Sequence, residues 1–251
     1  MHFVFDLDGT LCFDGETIAD ELKSALGMAA QHGHQIIFAS ARSYRDCIGV
    51  LGQELAQELV IGLNGGLAYK EGELIYHRQL DKVAYQEVLS WCHRYNLPFF
   101  VDDDFNYASQ EMERIPFARY VDPLELATRV SVEELSHPIK VVIEMSRHED
   151  LVEDMCRDLE TLECLDISYH EEEKCLYINP YETTKVTAVT DLIGKDFIAF
   201  GNDKNDMALF KASLYGVQVG YYSPLVTYAD VILPADSSAI AQKLKELYQQ
   251  F

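Results

Sequence analysis

A chain of 251 residues, 48% hydrophobic and 25% charged, has the make-up of a globular protein with one large domain or two unequal ones. Its net charge of -22 and pI near 4.6 argue against nucleic acid or an anionic membrane surface as partner, because Lys and Arg hold both. No apolar stretch approaches the ~20 residues needed to span a bilayer. Cys12, Cys47, Cys92, Cys156, Cys164 and Cys175 are scattered without a C-x-x-C pair. With Met1-His2-Phe3 entering a strand directly and leaving no room for a leader, they read as reduced thiols of a cytoplasmic protein. The histidines show no zinc-ligand spacing with these cysteines, so a zinc site is not expected.

Along the chain, a short strand at 3–6 is followed by a helical pattern near 17–32, with Ile18, Leu22, Ala25, Leu26 and Ala29 on one face. Gly33-His34 ends it. A strand at 35–39, a helix at 43–57 and a strand at 59–63 come next. This alternation predicts a parallel sheet covered by helices. Then the pattern changes. Leu67-Ala68-Tyr69 and Leu74-Ile75-Tyr76 flank a polar turn and predict a hairpin. From about 80 to 182, helices at 81–95 and 148–161 mix with strands at 99–101, 140–144, 165–169 and 176–178, which predicts an α+β insertion. From Thr183 the first pattern resumes with a helix at 183–193, a strand at 197–200, a helix at 205–212, strands at 215–219 and 231–233, and a helix at 237–249. Asp102-Asp103-Asp104 and Glu171-Glu172-Glu173 read as solvated turns of the insertion, and Trp91 with Tyr95 as packing at helical i, i+4 spacing.

Chemistry concentrates at the ends of the apolar runs. Asp6 and Asp8 close the first of them, two residues apart and on one face of an extended segment. Their charges repel unless a cation lies between them, and a divalent ion with oxygen ligands would supply it. A carboxylate so placed can also serve as a nucleophile. Gly9 lets the backbone turn and Thr10 offers a hydroxyl to hold it. Ser40-Ala41-Arg42-Ser43 follows the second run, where a helix beginning near Ser43 would aim its amides at an anion. Ser40 can equally be an N-cap, and Arg42 a surface salt bridge. Lys185 stands in the first turn of a helix, where its charge opposes the macrodipole. Gly201-Asn202-Asp203-Lys204-Asn205-Asp206 follows the run Phe197–Phe200. Each motif has a structural alternative, since D-x-D-G caps ordinary turns and lysines are common on surfaces. Asp230 reads as a turn residue.

The order Asp-x-Asp, Ser, Lys and acidic Gly-Asn-Asp loop resembles the haloacid dehalogenase (HAD) superfamily of phosphotransferases. The long interval between Ser40 and Lys185 is similar to its class IIB, Cof-type branch. The resemblance implies a fold of the α/β class: a Rossmann-like core with a parallel sheet, from residues 1–79 and 183–251, and an inserted α+β cap at 80–182. It implies a phosphatase acting on a small phosphorylated metabolite such as a sugar phosphate. Asp6 would be the nucleophile and Asp8 the acid and base, while Lys185 orients nucleophile and phosphate. Thr10, Ser40, Ala41, Arg42, Lys185 and Asn205 would bind phosphate, and Asp6, Asp8, Asn202, Asp203 and Asp206 would hold Mg2+. Three positions depart from the family pattern. Ala41 replaces a frequent Gly, Val186 follows the lysine where Gly is usual, and Asn202 stands where many members carry a metal-binding Asp. Asn202 motivates a second reading, a non-catalytic phosphometabolite-binding protein. A phosphomutase on the same scaffold is a third, disfavoured because only Cys12 to Ala19 separates the first motif from the first helix.

Overall fold

The computed structural model describes residues 1–251, which divide into two compact units, Met1–Ile75 with Thr184–Phe251 and Tyr76–Thr183. The first unit is built on strands β1 (His2–Phe5), β2 (Gln35–Ala39), β3 (Leu59–Gly62) and β4 (Leu67–Lys70); β5 (Glu73–His77) carries the chain into the second. The second unit contains β6 (Phe99–Asp102), β7 (Tyr107–Gln110), β8 (Lys140–Glu144), β9 (Leu165–His170) and β10 (Cys175–Pro180). After it, β11 (Phe197–Gly201), β12 (Tyr215–Val219) and β13 (Val231–Leu233) complete the first sheet, whose order is β13-β12-β11-β1-β2-β3-β4-β5. From β13 to β3 the strands pair in parallel, with Val4 opposite both Ile37 and Ala199, and β4 runs antiparallel to β3. A parallel strand buried on both faces reads as a continuous apolar run. That is why Phe3-Val4-Phe5 and Phe197-Ile198-Ala199-Phe200 are fully buried.

The helices of the first unit are α1 (Asp20–Gly27) and α2 (Tyr44–Leu55), and those of the second are α3 (Lys82–Tyr95) and α4 (Val152–Glu160). The chain then returns through α5 (Lys185–Ile193), α6 (Met207–Ala212), the single turn α7 (Ser223–Val226) and α8 (Ser237–Gln250). The helix expected at 43–57 is interrupted at Gly52, whose φ of 72° is left-handed, and the one expected at 17–32 ends as a short 3-10 turn over Ala29–His32.

The second unit is an α+β layer. Its sheet, β7-β6-β8-β10-β9, is antiparallel throughout. Side chains alternate across it. Phe99, Val101, Val141, Ile143, Leu176 and Ile178 pack with Ala84, Val88, Trp91, Met155 and Leu159 from α3 and α4. The opposite face holds Phe100 edge-on to Phe117, and Lys140 over the rings of Phe117 and Tyr177. The acidic run Asp102-Asp103-Asp104, expected in a solvated turn, is not solvated: Asp102 and Asp103 are buried. Asp103 accepts hydrogen bonds from the amides of Ser136 (3.0 Å) and His137 (2.6 Å), which no local pattern announces. Trp91 stacks on Tyr95 inside the packed layer. No helix is long and apolar enough to cross a membrane.

Candidate active site

In the first unit, strand order reverses direction about β1, with β2 on one side and β11 on the other. In open α/β sheets, the crevice beyond the carboxyl ends of such strands is where ligands bind. Asp6 stands there, one residue past β1, with its amide donating to the Phe200 carbonyl of β11 (3.0 Å). It is 4% exposed. The following turn is closed by the amides of Thr10, Leu11 and Cys12 on the Leu7 carbonyl, and Gly9 takes φ 76°. A side chain at Gly9 would collide with the Asn202 amide. Glycine is therefore required twice over, for conformation and for close approach.

Lys185 begins α5, behind the N-cap Thr184, which exchanges hydrogen bonds with Thr187 in a capping box. Its buried Nζ donates to Asp6 Oδ1 (2.6 Å) and to Asp206 Oδ1 (2.9 Å). Burial alone would lower the lysine's pKa, but the two carboxylates outweigh it, and the ammonium is held charged. One cation shared by two buried carboxylates leaves excess negative charge. Burial first, and Asp206 and Asp8 after it, outweigh Lys185 and push Asp6 up to about 7. The other oxygen of Asp206 accepts the amides of Asn202 (2.9 Å) and Asp203 (3.3 Å). Gly201 leaves room for it, since a Cβ there would sit 2.6 Å from the carboxylate. Asp206, expected among the metal ligands, thus has both oxygens committed to fixing the loop and Lys185.

Asn202 completes the pocket. With its carbonyl turned inward, Oδ1 lies 3.0 Å from Asp6 Oδ2 and 3.2 Å from the Asp8 carbonyl oxygen. Thr10 Oγ1 donates to the same Oδ1 at 3.2 Å. An octahedral Mg2+ with ligands at about 2.1 Å places neighbouring oxygens about 3.0 Å apart. The Asn202 oxygen stands at about that spacing from each of the other two, and all three are ligands of the kind a hard divalent cation takes. Turned about, the Asn202 amide nitrogen donates to Asp6 Oδ2, the Asp8 carbonyl and Thr10 Oγ1 instead. The same residue can frame a cation site or fill it with its own N–H groups.

The remaining expected residues lie around this centre in different partnerships. Asp8 turns its side chain outward, 47% exposed, into a two-pronged ion pair with Arg42: Nε to Oδ2 at 2.8 Å and Nη2 to Oδ1 at 2.6 Å. Arg42 Nη2 also donates to the Gly15 carbonyl. Arg42, expected on phosphate, is thus engaged with Asp8. Ser40 is fully buried and its Oγ accepts the Arg42 amide (3.1 Å). Ser43, not Ser40, caps α2 by accepting the Asp46 amide. Ala41 is half-buried beside them. Asp203 accepts the Asn205 amide, and both are exposed, with no hydrogen bond drawing either toward Asp6. Asp230, expected as a turn residue, is bonded over a longer range: its carboxylate accepts the Gly216 amide of β12, and its own amide donates to the Gly216 carbonyl. Thiolate chemistry is disfavoured: burial and then Asp14 push Cys12 up to about 11, and burial pushes Cys47 up as well.

Over residues 3–244 the chain matches the family model of haloacid dehalogenase-like hydrolases, and it belongs to that family. Among curated proteins it is similar to phosphatase YwpJ of Bacillus subtilis (strain 168), 30% identical over 87 residues. That match spans 34% of this chain and only 30% of that protein. The fold is shared with a haloacid dehalogenase-like hydrolase from Bacteroides thetaiotaomicron, at TM-score 0.83 and 18% identity over 98% of both chains. It is shared also with the subclass IIB sugar phosphatase BT4131, at TM-score 0.73 and 20% identity over 98% of both chains.

Proposed function

We propose that this chain is a cytoplasmic, Mg2+-dependent phosphatase of the class IIB type that hydrolyses a small phosphate monoester, such as a sugar phosphate, through an aspartyl-phosphate at Asp6. The observation that carries this reading is the buried Asp6 carboxylate, held by Lys185 on one oxygen and meeting with the other the Asn202 amide, which also reaches the Asp8 carbonyl. Asp6, the Asp8 carbonyl and Asn202 would hold the ion, which when bound neutralises charge on the carboxylate and the ester. Lys185 fixes the Asp6 rotamer and adds a positive charge beside the transferring group. An oxygen of Asp6 attacks phosphorus as the ester oxygen leaves, and the Asp8 carboxyl gives its proton to that alkoxide. Asp8, now a carboxylate, takes a proton from the water that attacks the aspartyl-phosphate. Inorganic phosphate leaves, Asp6 is a carboxylate again and Asp8 is again protonated.

A carboxyl that must carry a proton cannot keep both oxygens on a guanidinium. An incoming phosphate offers Arg42 a competing anion, and its transfer from Asp8 to the ester frees Asp8 for proton transfer. Arg42→Lys, which keeps charge but loses the fork, is expected to lower kcat about tenfold for alkyl phosphates and less for aryl phosphates, whose leaving groups need little acid help. Steady-state rates on both ester classes test this, and equal losses would detach Arg42 from the proton step.

The segment 80–182 acts as the cap that selects the ester, by this reading. Transplanting it onto a related core is expected to carry substrate preference with it, and preference that stays with the core would refute the role. The phosphatase reading itself is tested by rapid quench with excess enzyme and phosphate ester, followed by borohydride, which reduces an aspartyl-phosphate to homoserine. Homoserine at position 6 is expected. Phosphate release with Asp6 left unmodified would exclude the covalent route. Binding of esters without any phosphate release would favour the non-catalytic reading, to which the inward-donating orientation of Asn202 lends its one support.

A further inference from the structure

Two histidines separated by 60 positions converge on one carboxylate in the second unit. His77 Nδ1 lies 3.0 Å from Asp104 Oδ1, and His137 Nδ1 lies 2.6 Å from Asp104 Oδ2. The imidazole centroids are 4.5 Å apart, and the ligand-bearing atoms of all three residues fall within 4.8 Å of one another. The histidines are 34% and 40% exposed and Asp104 is 19% exposed, so an ion can reach them. We propose that His77, Asp104 and His137 form a binding site for a divalent transition-metal ion of the zinc or nickel kind, independent of the phosphatase reading.

The framework holding the three side chains is built in advance. Asp103 clamps the amides of Ser136 and His137, and Ile139 donates its amide to the Asp102 carbonyl at 2.8 Å. Leu80, three residues past His77, donates to the Pro138 carbonyl at 2.8 Å. The segments carrying His77, Asp104 and His137 are thus stitched together by hydrogen bonds that owe nothing to the imidazoles. Partners that orient the ligands in this way are a regular part of metal sites. The donor set, two imidazole nitrogens and a carboxylate oxygen, suits zinc, nickel or copper, whereas Mg2+ prefers oxygen alone. Three protein ligands leave room for water at a fourth position. On binding, each Nδ1 presents its lone pair to the ion and Nε2 carries the ring proton. The ion replaces two hydrogen bonds to Asp104 by bonds to itself, and it ties the end of β5 to the segments after β6 and before β8.

The site is tested by titrating the whole protein with Zn2+ against a chromophoric chelator, with Mg2+ in excess throughout to occupy any all-oxygen site. One zinc ion per chain is expected in the wild type and in Asp6→Asn. His77→Gln and His137→Gln are expected to weaken binding by about tenfold or more, the scale on which even outer partners of a metal act. Bound Zn2+ is expected to protect His77 and His137 from diethylpyrocarbonate in the unaltered protein, mapped by peptide, which needs no variant to fold. No binding by the wild type, unchanged affinity in both histidine variants, or modification of both histidines at full zinc occupancy would each overturn the assignment.

Discussion

Asp6→Asn is expected to abolish phosphate release, by roughly a thousandfold or more, while the metal-free protein becomes more resistant to heat at neutral and higher pH. The substitution keeps volume and leaves an oxygen to accept the 2.6 Å bond from Lys185 Nζ. It removes one of the two carboxylates that share that lysine, so Lys185 and Asp206 become a balanced buried pair. The sign follows from linkage. Asp6 is pushed up to about 7 in the fold from 3.8 otherwise. Between those values the folded protein holds a proton that the unfolded chain has released, so the Asp6 contribution falls as pH rises through about 4 to 7. Above that window the full repulsion is present. Thermal unfolding of wild type and Asp6→Asn in chelator, from about pH 5 to about pH 8, reads this directly. The wild type is expected to lose Tm relative to the variant as pH rises. Parallel curves would mean that Asp6 is not the strained group, and turnover near the wild-type rate would remove it as nucleophile.

What could be read beforehand, and what could not, divides along contact range. Strands β1, β2, β3 and β11 announced themselves because burial on both faces demands unbroken apolar runs. β7 did not, because Tyr107-Ala108-Ser109-Gln110 lies at a sheet edge and is mostly half-exposed, with no alternation to mark it. The one-turn α7 is too short to show a period. The acidic run Asp102–Asp104 misled for a different reason. Charge clusters usually lie in water, yet here the backbone amides of Ser136 and His137, over thirty residues away, compensate Asp103 in the interior. Motif order pointed to the neighbourhood of Asp6, Lys185 and Asn202, but partner assignment within it required three dimensions. Lys185 bridging Asp6 and Asp206, and Arg42 gripping Asp8, are pairings across 21 to 179 residues that no spacing encodes. The His77–Asp104–His137 cluster is the extreme case, since its members lie 27 and 33 residues apart along the chain and no spacing joins them.

Asn202→Asp is expected to bind Mg2+ more tightly than the wild type and to be the less stable protein without it. The new carboxylate takes the place of an amide oxygen 3.0 Å from Asp6 Oδ2 and 3.2 Å from the Asp8 carbonyl. With the ion present, a second anionic ligand joins the set and strengthens attraction to a hard cation. Without it, the pocket holds a further negative charge and has lost the N–H groups that Asn202 can turn inward toward those oxygens. Thr10 Oγ1 is left to donate to whichever oxygen it reaches, and Lys185 is already committed to Asp6 and Asp206. The two effects act in opposite directions on the two states, so they add in the response to metal. The Mg2+-induced rise in Tm is expected to be several degrees larger in Asn202→Asp than in the wild type at equal Mg2+, as ligand linkage requires of a tighter site. Half-maximal activity is expected at about a tenth of the wild-type Mg2+ concentration, since about 1.4 kcal/mol of added affinity suffices for that change. Asn202→Ala, which leaves no oxygen at this position, is expected to move both readings the other way. Equal Mg2+ responses in all three proteins would show that the ion does not sit between Asp6, the Asp8 carbonyl and Asn202.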